Sequence, residues 1–567
     1  MDVKYEKVPH MVTKEQRVRW RCRPTTPFVS SLLALTASAL LLAGCERQEE
    51  PAPAVKSATI RIVHGPELRS YLSELKEQLY LAHPVLPDGT KITIELISEI
   101  GIIAARKIAS GEFKNEAWLT SSTSLVNLVN SSLHGLGAEQ TDCLPLFSTP
   151  VVAATRPENR EFFNTSTHRF SWREIFESKL ATSAENPDAG YLSYSHAAPD
   201  ASVSGMDSLL LLTYLAANSP APLTGDGIER GLTLKRLERF EDVVSNYSLS
   251  EAFLLERTAR ATTKRIRFTL TTEQQLALYN ANRAPGAPAL TALYPEEGSV
   301  VQDYQLCTSK ADWVTPAQQA ILRLFREVMT SPAAQKAAQA KGFRLKDSPA
   351  AVPPLTPEFG VELSALSQTF PPAEGSALKL LTERWGELKR PAALAVVLDN
   401  SGSMEGENLR LSKDFIRNLV ARLPERDKKA LVTFSTTAKV ESPFSVDSGA
   451  VIRALDPIQS LGGSAVYDGI RAAMELIASS DLRSFRKSIL VITDGQDKNS
   501  ESTLQGLIDS LNTKLVQYDV NLIIVGIDRD EIDFSDLEKI ARAANGLFRE
   551  APVTRLPTVL QEVQRNL

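Results

Sequence analysis

Three short stretches in the last third of the chain gather side chains that carry oxygen. Asp399-Asn-Ser-Gly-Ser-Met404 sets a carboxylate and two hydroxyls at alternate positions. Ser464 sits in the loop Gly462-Gly-Ser-Ala-Val-Tyr-Asp-Gly469, and Asp494 opens Asp494-Gly-Gln-Asp497. Hydroxyls with few carboxylates suit a hard divalent cation: Mg²⁺ takes six oxygens at about 2.0–2.1 Å and keeps several of them as water. Taken alone, Asp-x-Ser-x-Ser is also what a capped turn looks like. Three such segments in one region argue for a shared site.

The elements around these residues position them at one edge. Ala393 to Leu398 is a continuous apolar run, as a strand buried on both faces requires, and it ends at Asp399. Ser488 to Thr493 is a second apolar strand that ends at Asp494, and Val520 to Gly526 is a third. Helical stretches alternate with them, which predicts a parallel sheet covered on both faces. Open sheets of that kind bind ligands at the carboxyl ends of their strands.

In this order and spacing the residues closely resemble the metal-ion-dependent adhesion site (MIDAS) of von Willebrand factor A (VWA) domains. The resemblance implies that Asp399, Ser401, Ser403, Ser464 and Asp494 hold Mg²⁺, or Mn²⁺ or Ca²⁺, with a coordination position left open for an Asp or Glu of a partner protein. The family usually has Thr where this chain has Ser464, and the hydroxyl is retained.

Upstream, strands again alternate with helices: Thr59 to Val63, a helix over 68–81, Lys91 to Ile97, a helix over 101–110, and Ala117 to Leu119. Region 58–346 resembles two-lobed periplasmic solute-binding proteins. The matching pieces are Gly65-Pro-Glu67, Trp118-Leu-Thr-Ser-Ser122, Pro150-Val-Val-Ala-Ala154, Ser202-Val-Ser-Gly205 and Tyr294-Pro-Glu-Glu-Gly-Ser299. That likeness implies a ligand cleft near Gly65, Ser121, Ser122, Ser202 and Ser204. Free N–H groups at helix starts would let these serines hold an anion, and helix capping is the alternative role for them. Residues 347–391, with Ala351-Val-Pro-Pro-Leu-Thr-Pro357 and Phe370-Pro-Pro372, read as a linker and connecting helix before a domain over 392–567. The expected class is therefore α/β, a two-lobed domain followed by a doubly wound, Rossmann-like one.

The first 44 residues read as a secretory signal: a basic stretch to Arg23, an apolar run from Phe28, then small residues. Leu42-Ala-Gly-Cys45 is similar to the lipobox of bacterial lipoproteins, which implies that Cys45 is acylated and that 45–57 tethers the protein to a membrane. The expected location is the bacterial cell envelope, facing the periplasm or the cell surface. Cys143 and Cys307 then remain as a pair in an oxidising setting, either as a disulfide or as two buried thiols. At the presumed crossovers between lobes, a bridge would clasp the hinge.

A net charge of −5 offers no general attraction for nucleic acid. The chain has no Gly-x-Ser-x-Gly elbow, phosphate loop or His-Glu-x-x-His motif, and its six histidines all lie outside the last domain. Ser73-Glu-Leu-Lys76 fits a Ser-x-x-Lys pattern but sits on an ordinary helix without companion motifs. The expectation is a non-enzyme that captures a protein through a metal and carries a solute-binding-like first domain, whose retention of a small-molecule solute is left open. The alternative is the solute receptor of a transport system, docked to its permease by the VWA domain.

Overall fold

The computed structural model describes residues 56–133, 135, 137–163, 167–176, 192–261, 266–346, 351–528, 532–544, 546–559 and 563. The expected signal peptide, the lipidation site Cys45 and the tether as far as residue 55 lie outside them, as does His134. Among the described residues no helix is long and apolar enough to cross a membrane.

The first part is built on one large sheet of β1 (Ser57–His64), β2 (Lys91–Ser98), β3 (Ala117–Thr120), β4 (Glu139–Thr155), β5 (Arg169–Phe170), β6 (Leu192–Ala197), β7 (Val244–Ser248), β8 (Ile266–Thr272), β9 (Thr291–Pro295), β10 (Val301–Lys310) and β11 (Arg344–Leu345). Its main path runs β2-β1-β3-β10-β4-β8-β6-β7. The parallel set β2-β1-β3 forms one lobe and the parallel set β8-β6-β7 the other. β4 serves both: its first two thirds pair antiparallel with β10, and Val151–Thr155 pair antiparallel with β8. The chain thus crosses along β4 and returns along β10. Cys143 and Cys307 form a disulfide between those two strands, close to a shift in their register.

The second sheet holds β12 (Ala392–Asp399), β13 (Lys428–Phe434), β14 (Ala438–Ser445), β15 (Arg486–Thr493), β16 (Val520–Asp528) and β17 (Leu547–Pro552), in the order β14-β13-β12-β15-β16-β17. Only β14 runs antiparallel. Every residue of β12 is buried, because its two faces feed two separate cores. Ala393, Ala395 and Val397 pack with the helix Val466–Ser479. Leu394, Val396 and Leu398 pack with the helix Glu407–Arg422. This is the both-faces-covered sheet that the apolar runs predict.

The stretch expected as linker behaves differently. Leu355, Val361, Ala365 and Ala373 are buried, Ala292 N–H donates to the Gly360 carbonyl at 2.8 Å, and Ser299 bridges Thr369. Its Pro-rich composition reflects an extended strap laid on the second lobe, where prolines cost no ladder hydrogen bonds. The helix Gly375–Leu388 likewise buries Ala377, Leu378 and Leu381 in the first domain's core beside the helix Thr123–Ser131. Both segments are part of that domain rather than a spacer.

The two domains are packed together through the amino ends of the second sheet. Arg257 of the helix Glu251–Ala259 donates to Asn521 at 3.2 Å, and Arg267 pairs with Asp519 at 2.6 Å. Arg486, the first residue of β15, lies over the Tyr247 ring. The carboxyl ends of β12 and β15, with Asp399 and Asp494, are therefore at the opposite edge.

Candidate metal centre

Asp399 ends β12 with its carboxylate fully buried. One oxygen accepts from Ser401 N–H at 2.8 Å and the other from the Thr493 hydroxyl at 2.6 Å. The Ser401 and Ser403 hydroxyls lie 3.0 Å apart, and Ser403 donates to Asp494 at 2.7 Å. Asn408, in the first turn of the following helix, donates to the other Asp494 oxygen at 3.1 Å. Four of the five expected residues thus form one hydrogen-bonded chain.

Ser464 reaches the same corner by way of its loop. Gly402 N–H donates to the Gly462 carbonyl at 3.1 Å, and Leu461 N–H to the Asn400 carbonyl at 2.8 Å. Gly462 adopts φ +70°, where a side chain would be strained and would press on Thr436. Asn499 fixes the serine backbone by accepting from Ser464 N–H at 3.0 Å. The Ser464 hydroxyl itself is buried and has no hydrogen-bond partner. An unpaired buried hydroxyl costs on the order of 1–3 kcal/mol.

Burial pushes the Asp399 carboxyl up to about 6; the Ser401 and Thr493 hydrogen bonds oppose this, and the Asp494 charge adds to it. Two carboxylates sharing a corner and three hydroxyls, one of them left unpaired, fit an oxygen-coordinated divalent ion. Asp399, Ser401, Ser403, Ser464 and Asp494 are the residues that would hold it. Thr493 and Asn408 were not legible beforehand. Thr493 adjoins Asp494 in sequence, but its hydroxyl points to a residue 94 positions away.

In the first domain the expected cleft residues are placed but differently employed. Gly65 follows β1, with the Glu67 carboxylate folded against it. Ser122 accepts from Ser124 N–H at 3.2 Å and Ser202 from Gly205 N–H at 3.4 Å, so both cap helices. Ser121 and Ser204 are buried, and Ser204 also bonds to Ser202 and to Glu251. The anion expected at these helix starts is opposed by carboxylates nearby: Glu67, Asp207, Glu251 and Asp303 all lie in this region. Asp207 carried a signal, an acid inside the apolar helix Val203–Ala217. The others, spread across the sequence, carried none.

The order β14-β13-β12-β15-β16-β17, with a hydroxyl-rich acidic corner at the carboxyl edge, defines an open, doubly covered parallel-sheet class of domain. The family model of the von Willebrand factor type A domain matches residues 393–563, and this part of the chain is a VWA domain. An uncharacterized protein of Synechocystis sp. is 29% identical over 180 residues, which is 31% of this chain and 41% of that protein. The chain thus spans about two fifths of that relative's length. A solved von Willebrand factor type A structure from Catenulispora acidiphila covers 31% of this chain and 42% of its own, with TM-score 0.28 and 19% identity. The periplasmic binding protein AfuA from Actinobacillus pleuropneumoniae, solved with fructose-6-phosphate, covers 58% of this chain and 98% of its own, with TM-score 0.39 and 13% identity.

Proposed function

We propose that this chain is a cell-envelope lipoprotein that captures a partner protein through a divalent ion in its VWA domain, with a two-lobed solute-binding-like domain on the membrane side. The observation that carries the reading is the corner of Asp399, Ser401, Ser403 and Asp494, joined by the unpaired Ser464 hydroxyl. When bound, the ion supplies a coordination position to which an acidic side chain of the partner can attach. The chain's own residues do the rest. Thr493 orients Asp399, Asn408 orients Asp494, and the Gly462 turn presents Ser464. We read the role as binding rather than catalysis.

The test is capture from detergent-solubilised envelope with the full-length protein, in Mg²⁺ and in EDTA, with wild type and the Ser401→Ala, Ser403→Ala double variant. The reading expects at least one protein retained only with Mg²⁺ and intact serines. The same proteins retained under all conditions would remove the metal site as the working surface. Release of the protein from membranes when Cys45→Ser replaces the lipid attachment point would support the envelope anchor.

A further inference from the structure

Three partly accessible carboxylates line the region where the lobes face each other. Glu67 follows β1 of the first lobe, Glu251 opens the helix Glu251–Ala259 of the second, and Asp303 lies on the returning strand β10. Asp303 is held by Thr123 N–H at 2.9 Å, and Glu251 by the Thr271 hydroxyl at 2.6 Å. The lobes touch beside them: a side chain on Gly101 of the first lobe would strike Val203 of the second.

A fourth acid supplies an independent observation. Asp207, in the helix Val203–Ala217, is only 1% exposed, and one of its carboxylate oxygens has no hydrogen-bond partner. Asp303 and Glu251 are its charged neighbours, and Gln302 of β10 bonds to it. The Tyr304 phenol is a common neighbour, under the influence of Glu67, Glu251 and Asp207. Burial raises the Asp207 carboxyl to about 8 and also raises those of Glu251 and Asp303, and the charges acting on Asp207 and Glu67 are other carboxylates rather than lysine or arginine.

A buried acid such as Asp207 without a counter-ion is costly, and a cleft is where such a cost accompanies a ligand. The acids are spread rather than clustered on one point: among the described residues no three such groups are placed to share a metal ion. Separated acceptors suit a ligand with N–H donors on separated nitrogens. Among the described residues no lysine, arginine or histidine charge acts on them, so they disfavour phosphates, and amino acids as well, whose carboxylate would be unpaired.

We propose that the interlobe cleft binds an organic polycation of the di- or polyamine class, with Glu67, Asp207, Glu251 and Asp303 as its acceptors. The assignment rests on the reading of the first domain as a two-lobed binding domain. Titration calorimetry and thermal melting on the full-length protein at physiological salt test it, with putrescine and spermidine against inorganic phosphate and L-arginine. One amine is expected to bind saturably at one site. Asp207→Asn and Glu251→Gln should each weaken it about tenfold or more, with far-UV circular dichroism unchanged. Amine binding indifferent to both substitutions would be surface attraction and would overturn the assignment. Saturable phosphate or L-arginine binding without amine binding would overturn it while keeping the cleft as a binding site. If none of the four probes binds, the assignment fails together with the two-lobed binding reading.

Discussion

Single buried carboxylates carry the sharpest consequences of this structure. Asp399 is buried beside Asp494, an arrangement that favours a bound cation and penalises its absence. Mg²⁺ should therefore raise the melting temperature of the wild type, by about 2.7 kcal/mol of added stability at a hundredfold excess over its Kd. In Asp399→Asn that shift should vanish in differential scanning calorimetry, while the metal-free variant melts no lower than wild type; a persisting Mg²⁺ shift would place the ion elsewhere. Asp207 gives a pH test. Its carboxyl sits at about 8 when folded, against an ordinary 3.8, so the folded state holds the extra proton between those values. Stability from this group is thus present at low pH and is lost as pH rises from about 4 to about 8. Urea titrations at pH 5 and pH 8 should show wild type losing more stability than Asp207→Asn across that interval, and equal losses would refute the buried-acid account. Of these residues, Asp399 was legible because the strand and its Ser-x-Ser turn are contiguous. The partners of Asp207 were not, since Glu67, Glu251 and Asp303 are joined to it only by the fold.

At the scale of elements, the sheets and their covering helices were readable because apolar runs and helical spacing are local properties. The segment 351–374 was misread for a physical reason: prolines and small residues serve a free linker and a docked strap alike, and only the buried Leu355, Val361 and Ala365 tell them apart. Gly360 is the point probe. Its φ of +77° disfavours a side chain, and a Cβ there would meet the Leu290 carbonyl and Asn280. Gly360→Ala should cost on the order of 3 kcal/mol, combining left-handed strain with a backbone clash. A denaturation midpoint that falls with an unchanged slope would show it. A free linker would tolerate the change. The helix-start serines make a related point: their capping bonds follow from local sequence, whereas the sign of the charge around them depends on strands that are far away in the chain.

At the scale of the molecule, the second domain rests on the first through the amino edge of its sheet and presents its acidic, hydroxyl-lined corner from the other edge. A largely buried charged set sits in that contact. Arg257 and Arg267, 7% and 12% exposed, converge on Asp519, which is 15% exposed. Burial, with Arg267 beside it, pushes Arg257 down to about 10, and Asp519 opposes that fall. Nothing local in the sequence marks this junction, because Arg257 and Asn521 are 264 residues apart. Asp519→Asn keeps the shape and suits the positive φ of 53° at this position, since Asn tolerates that region as Asp does. It removes the charge between two buried guanidinium groups, and losing one partner of such a buried set costs about 3–5 kcal/mol. The wild type should therefore melt in one calorimetric transition. Asp519→Asn should melt in two, the VWA transition still moving with Mg²⁺, because its metal corner lies at the far end of β12 and β15. Two transitions already present in the wild type would mean that the junction does not couple the domains. A single unshifted transition in the variant would mean that the junction is held by packing such as Arg486 over Tyr247 rather than by charge.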